Sequence, residues 1–124
     1  MTLSTLTLAA VILTFLMIVV AVQLRTRGDL RLGFSNRDAM PAPTPIADRA
    51  DRATKNMLEN LVLFVALVVA VGGHNPGRAV LGAEIFVAAR IVYWPIYLAG
   101  ISGLRTAAWS VGLVGLVILG SALL

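Results

Sequence analysis

MTLSTLTLAAVILTFLMIVVAVQL, residues 1–24, contains no charged side chain, and Arg25 follows it directly. At about 1.5 Å rise per residue, a helix of this length crosses the roughly 30 Å hydrocarbon core of a bilayer. A cleaved secretory leader calls for basic residues ahead of the apolar stretch and small residues at its exit. Here the stretch starts at the terminus and leaves through Gln23-Leu24-Arg25, so it reads as a retained anchor.

The whole chain fits that start. Its 124 residues are 59% hydrophobic and only 13% charged, with mean hydropathy +0.92, too apolar and too sparsely charged for a soluble domain of 13.1 kDa. The net charge is +4, and seven of the ten basic residues fall between Arg25 and Lys55. That cluster lies between two apolar stretches with few aromatics interleaved, which fits a cytoplasmic loop beside anionic lipid and excludes a nucleic-acid surface. There is no cysteine. Disulfides, thiolate metal sites and a protein thiol nucleophile are therefore excluded, and any sulfur chemistry has to come with a ligand.

Residues 25–44 are polar and punctuated by Gly28, Gly33, Asn36, Pro41 and Pro43, with Pro45 directly after them, so a continuous helix is ruled out and a loop is expected. Thr44-Pro45 has the form of an N-cap followed by proline at the first helical position, with Asp48 near the positive end of the dipole. The helix from 45 to 71 is then about 40 Å long, more than the hydrocarbon requires, and its first turns stand in the headgroups or beyond. Residues 72–77 form a tight turn, 78–98 a third span and 104–124 a fourth, so the fold expected is an all-α, four-helix integral membrane bundle in one domain of residues 1–124. The Arg-rich first loop, with Arg105 after the third span, places those loops in the cytoplasm and both termini outside.

The chemistry lies on two polar stripes. Arg52, Lys55, Asn56 and Glu59 are spaced so that 100° per residue keeps them within about 100° of arc on helix two, and Arg90, Tyr93 and Tyr97 share a face of helix three. If the two helices form an antiparallel hairpin closed between Val71 and Arg78, Glu59 and Arg90 lie twelve residues, about 18 Å, from the closed end. Asn56 then stands level with Tyr93, and Arg52 with Tyr97. Charges at one depth neutralise each other, whereas an isolated charge at the membrane centre costs about 2.5–3.5 kcal/mol, so a Glu59–Arg90 ion pair is expected. Two readings stand side by side: a clamp that fixes hairpin register, or a site for a polar anionic ligand. The surplus of Arg52, Asn56, Tyr93, Tyr97 and Arg105 favours the second. Arginine forks suit carboxylates, tyrosine hydroxyls can donate to a developing thiolate or oxyanion, and Glu59 can receive an amine.

At these residues the chain resembles a known family. Arg52-Ala53-Thr54-Lys55-Asn56-Met57-Leu58-Glu59-Asn60 is similar to the Arg-x-x-x-Asn-x-x-Glu signature of the membrane-associated proteins in eicosanoid and glutathione metabolism, the MAPEG family. Arg90-Ile91-Val92-Tyr93-Trp94-Pro95-Ile96-Tyr97 is similar to its Arg-x-x-Tyr-x-x-x-Tyr pattern, and Arg25 and Arg105-Thr106 fall where the family carries further arginines. The resemblance covers essentially the whole chain. It implies a homotrimer with glutathione as co-substrate between subunits near the cytoplasmic side, acting on hydrophobic small molecules in a compact protein of the bacterial inner membrane. It implies Arg52, Asn56, Glu59, Arg90, Tyr93 and Tyr97 as glutathione-binding residues, Arg105 as the group that stabilises the thiolate, and Arg25 as the one acting on the second substrate. A transferase or peroxidase is the leading reading; a non-catalytic lipid-binding or scaffold protein, also represented in the family, is the alternative.

Other residues carry less. His74 is the only histidine and sits in the outer turn, so no metal is expected. Glu84 lies about 120° around its helix from Arg90, facing either a neighbouring subunit or water near the outer surface. Pro95 removes one helical hydrogen bond beside the tyrosines, and is either a plain kink or a device that makes room for a ligand. Ala79/Ala83 and Ala108/Gly112 are small pairs that favour close helix packing. Trp94 and Trp109 are either interfacial anchors or packing residues. A small proton-coupled exporter would fit the size, but it usually needs a carboxylate in the first span, and residues 1–24 have none. No Ser-His-Asp set, phosphate loop or dinucleotide fingerprint is present.

Overall fold

A computed structural model describes residues 1–124. The chain folds into helices alone, in the order α1 (Leu3–Thr26), α2 (Leu30–Phe34), α3 (Pro45–Val71), α4 (Pro76–Ala99) and α5 (Ser102–Ser121). The four long helices are each long and apolar enough to cross a membrane, and the protein is an integral membrane helical bundle.

The helix starts follow capping chemistry. Thr44 accepts a hydrogen bond from the Ala47 amide and is followed by Pro45 in the first turn of α3. The same device opens α4, where the Asn75 side chain accepts from the Arg78 amide and Pro76 takes the first turn. That helix therefore starts two residues before the Arg78 expected from the sequence, because Asn75-Pro76 reads as a cap rather than as part of the turn. Within the loop after α1, Asp29 caps the single turn α2, an element the glycines and prolines of that segment had concealed. Only Gly100 and Ile101 separate α4 from α5, a tighter turn than the spans 78–98 and 104–124 expected from the sequence would leave. Gly100 takes a left-handed conformation (φ 76°) there, and Arg49 reaches across from α3 to donate its Nε to the Leu98 carbonyl at 2.9 Å. A cation at the carboxyl end of α4 satisfies one of its open carbonyls and opposes the negative end of its dipole.

α4 is the hub, packed against α1, α3 and α5. Its pairing with α5 is by far the closest, and glycine is the reason. A Cβ added at Gly115 would lie 2.6 Å from the Phe86 amide nitrogen, and one at Gly82 would run into the backbone of Leu119, so the two helices meet backbone to backbone. Ala79 and Ala83 are buried beside this contact, but the crossing itself is at Gly82 and Gly115 rather than at the Ala108/Gly112 pair. α1 lies across α3 and α4, held to α3 by Thr54, whose hydroxyl donates to the Met17 carbonyl at 3.2 Å. α3 and α4 run antiparallel in the register that the tight turn imposes. The rings of Phe64 and Phe86 stack at 4.7 Å with 11° between their planes, one residue from the equal-depth pairing expected. α5 touches α3 only sparsely, and a cleft is left open between them.

The glycine contact yields a direct expectation. Gly115→Ala should destabilise the bundle by about 1–3 kcal/mol as an overpacked helix crossing. Gly77→Ala, in the first turn of α4 with nothing near its missing Cβ, should be neutral or stabilise by about 0.4–1 kcal/mol. Thermal unfolding of both variants in one detergent measures the difference.

Candidate functional site

The cleft between α3 and α5 has two sections. Its polar section lies toward the α4–α5 turn and has a volume of about 500 Å³. From α3 it is lined by Arg52, Lys55, Asn56 and Glu59, and from α4 by Tyr93 and Tyr97. α5 adds Arg105, Thr106 and Trp109. The other section, about 550 Å³, is apolar and continues along the same two helices from Leu63 to Ala70 and from Leu113 to Gly120. The α3 residues of both sections fall on one arc of that helix, so the polar stripe and the apolar one form a single groove.

Behind the polar section stands Arg90, only 1% exposed. Its Nη1 donates to Asn56 Oδ1 at 2.7 Å, while Nε and Nη2 are buried without a partner. The expected ion pair with Glu59 is therefore not formed. Equal depth along a hairpin does not fix azimuth: Glu59 is turned about 60° from Asn56 around α3, into the open cleft, where it is exposed. Asn56 instead faces α4. Asn60, one turn on, donates Nδ2 to the Asn56 backbone carbonyl at 2.8 Å and to its side-chain Oδ1 at 3.4 Å.

The guanidinium of Arg90 is otherwise enclosed by π faces and by α5. It lies 4.9 Å from the ring centroid of Tyr93 and 5.5 Å from that of Phe86. On its α5 side it packs against Gly112, where a Cβ would stand 3.5 Å from Arg90 Nε, an ordinary contact distance. Tyr93 meets Tyr97 edge to face at 5.4 Å, and the Arg105 guanidinium sits 4.9 Å from the centre of the Tyr97 ring. Phe86, Arg90, Tyr93, Tyr97 and Arg105 thus form one file from the closed end of the hairpin toward the α4–α5 turn, with a cation against a ring at each end and a ring pair between. Each cation–π contact contributes about 0.5–2 kcal/mol, the larger figure where water is excluded, as at Arg90.

Of the residues on the two stripes, Arg52, Lys55, Asn56, Glu59, Tyr93 and Tyr97 line one cavity together with Arg105, and Arg90 stands behind it. Arg25 is not among them. It is half-buried at the end of α1 and donates to the Pro41 carbonyl, tying the returning loop to the bundle. Trp109 is a wall of the cavity, more than an anchor, because it stands one helical turn from Arg105 on α5. His74 contacts the Val71 carbonyl at the opposite end, and no three His, Asp or Glu side chains converge.

The arrangement pairs a signature on α3 with one on α4 across a single cavity, and the MAPEG family model matches residues 3–124. The chain belongs to the MAPEG family. No curated protein matches it. MAPEG proteins are membrane bundles that in general use glutathione, and some members are not catalytic. In this MAPEG chain the two signatures meet through Asn56 and Arg90, not through the two charges.

A double-mutant cycle reports on that contact. Asn56→Leu strips the buried cation of its one hydrogen bond and should cost about 1–3 kcal/mol of stability. In an Arg90→Met background the same change should cost less by about 0.5–3 kcal/mol, since no buried charge is then stranded. Unfolding of the four proteins in detergent gives the coupling.

Proposed function

We propose that the protein is a glutathione-dependent transferase or peroxidase that acts on hydrophobic electrophiles reaching it from the lipid. One observation carries the reading: the cavity sets three cations, Arg52, Lys55 and Arg105, and one carboxylate, Glu59, around two tyrosines. Glutathione offers the complementary set, with two carboxylates, one ammonium and one thiol. Arg52 and Lys55 suit its carboxylates, and Glu59 suits its amine. Asn56, its carbonyl engaged by Arg90, keeps its amide N–H groups for an acceptor in the cavity.

Arg105 is the group for the thiol. A guanidinium beside a thiol favours the charged form, and the thiolate is the nucleophile. Tyr97 holds Arg105 by its ring face and leaves its hydroxyl for the same sulfur. Attack on an electrophilic carbon forms the thioether and expels the leaving group; with a hydroperoxide, attack on oxygen gives the sulfenic form and an alcohol. Nothing in the cavity selects one electrophile by hydrogen bonding, so discrimination among apolar substrates is expected to be modest.

The reading extends to assembly and orientation. A homotrimer would cover the cleft between α3 and α5, and Arg25 of the partner subunit would then approach from the same end of the bundle as Arg52 and Arg105. The Arg-rich loop and the Arg105 end would face the cytoplasm of a bacterial cell, with the termini outside. A non-catalytic lipid-binding protein is the second reading, favoured by the apolar half of the cleft, which offers an acyl-sized channel without reactive groups.

Calorimetric titration of glutathione into the detergent-purified protein tests the first reading. Saturable binding is expected, weakened about tenfold in Glu59→Gln and in Arg105→Ala, as for the loss of a charge-assisted hydrogen bond. The ultraviolet absorbance of bound thiolate should appear with the wild type and vanish with Arg105→Ala. A well-folded protein that takes up no glutathione sinks the proposal and leaves the lipid-binding reading.

A further inference from the structure

The loop between α1 and α3 has a form that the glutathione reading does not use. Two successive left-handed residues, Arg27 (φ 54°) and Gly28 (φ 77°), turn the chain sharply as it leaves α1. α2 therefore does not prolong α1 but rests against it, with Leu32 half-buried. The returning strand is fastened at the base of the loop, where Arg25 donates to the Pro41 carbonyl and Arg27 Nη2 to the Ala42 carbonyl at 3.0 Å. Residues 28–40 form a closed loop held across the end of a membrane span.

On that loop the exposed side chains are the wrong ones for water. Phe34 is 90% exposed and Leu30 64%, and they are one helical turn apart, on a single face of α2. Arg27, Arg31 and Arg37 are all exposed around them. Arg27 and Arg37 each spend one N–H on a neighbouring carbonyl, at 3.0 and 3.2 Å, which holds the side chain near the loop and leaves the rest of the fork free. Asp29 is engaged as the cap of α2, its carboxylate accepting from the Arg31 amide at 2.9 Å. An apolar pair ringed by arginines, immediately beyond the end of a spanning helix, matches the boundary between acyl chains and phosphates.

We propose that residues 28–40 are an interfacial anchor for anionic lipid: Leu30 and Phe34 enter the acyl boundary of the bilayer that α1 leaves, and Arg27, Arg31 and Arg37 bind lipid phosphates around them. Anionic headgroups complement the three guanidinium groups, and the fastened loop base presents the apolar pair without further ordering.

The absence of native cysteine makes the test simple. Phe34→Cys and, as a reference outside α2, Asn36→Cys are each labelled with an environment-sensitive fluorophore. They are placed in nanodiscs of phosphatidylcholine, with or without phosphatidylglycerol and lipids carrying a nitroxide high on the acyl chain. Thermal unfolding confirms that both labelled proteins remain folded. The label at 34 should emit blue-shifted and be quenched by the nitroxide, that at 36 should not, and quenching at 34 should increase with phosphatidylglycerol. The combined Arg27→Gln, Arg31→Gln, Arg37→Gln variant should lose that increase, with association weakened about fivefold per arginine. Water-like emission at 34 in both membranes overturns the proposal. So does a shielded label that the lipid nitroxide does not reach, which would place a second copy of the chain over the loop, and so does equal quenching in both compositions.

Discussion

The contact of Gly82 with Gly115 governs the shape of this bundle. Helices in lipid gain little from apolar burial, and they associate where their backbones can approach. Two glycines facing each other give α4 and α5 that approach, so α5 is committed to α4 and turned away from α3. The hairpin of α3 and α4 is committed by its tight turn, and α1 by its packing on both. The cleft between α3 and α5 is what remains once these choices are made, and the polar stripe of α3 opens into it for the same reason.

Within that frame Arg90 is held by unusual means. A buried guanidinium with one hydrogen bond and two unpartnered nitrogens would be costly in a dry interior. The faces of Tyr93 and Phe86 offset part of that cost. The partner on α3 is a neutral amide. The carboxylate that could have neutralised Arg90 stands instead in the cavity, available to a ligand, and the local charge of the cavity stays positive.

Much of this was legible in the residues. Thr44-Pro45 marked the start of α3, the charge-free run marked α1, and helical period brought Arg52, Asn56, Tyr93 and Tyr97 to one cavity. Those features depend on local chemistry or on helical rise, which sequence carries directly. Azimuth was harder to read. Glu59 was assigned to Arg90 because the two share a depth, whereas the packing of α3 turned Asn56 inward and Glu59 outward. The glycine crossing was missed because small residues are frequent in spans and only the partner helix shows which of them meet. Arg25 illustrates a limit of another kind: its place in one chain is a loop tie, and α1 has no contact with α5 through which it could reach the cavity.

The turn of Gly100 and Ile101 has a mechanical consequence. With two residues between them, and the Gly100 and Ile101 amides donating back to the Tyr97 and Ile96 carbonyls, α4 and α5 have no slack with which to separate at that end. At the glycine crossing they have no room to slide. The two helices behave as one stiff lever, and Tyr93, Tyr97 and Arg105 keep their mutual spacing whatever the cleft holds. Arg49 moors the first turns of α3 to the same lever through the Leu98 carbonyl, so the mouth of the cavity is braced on both sides.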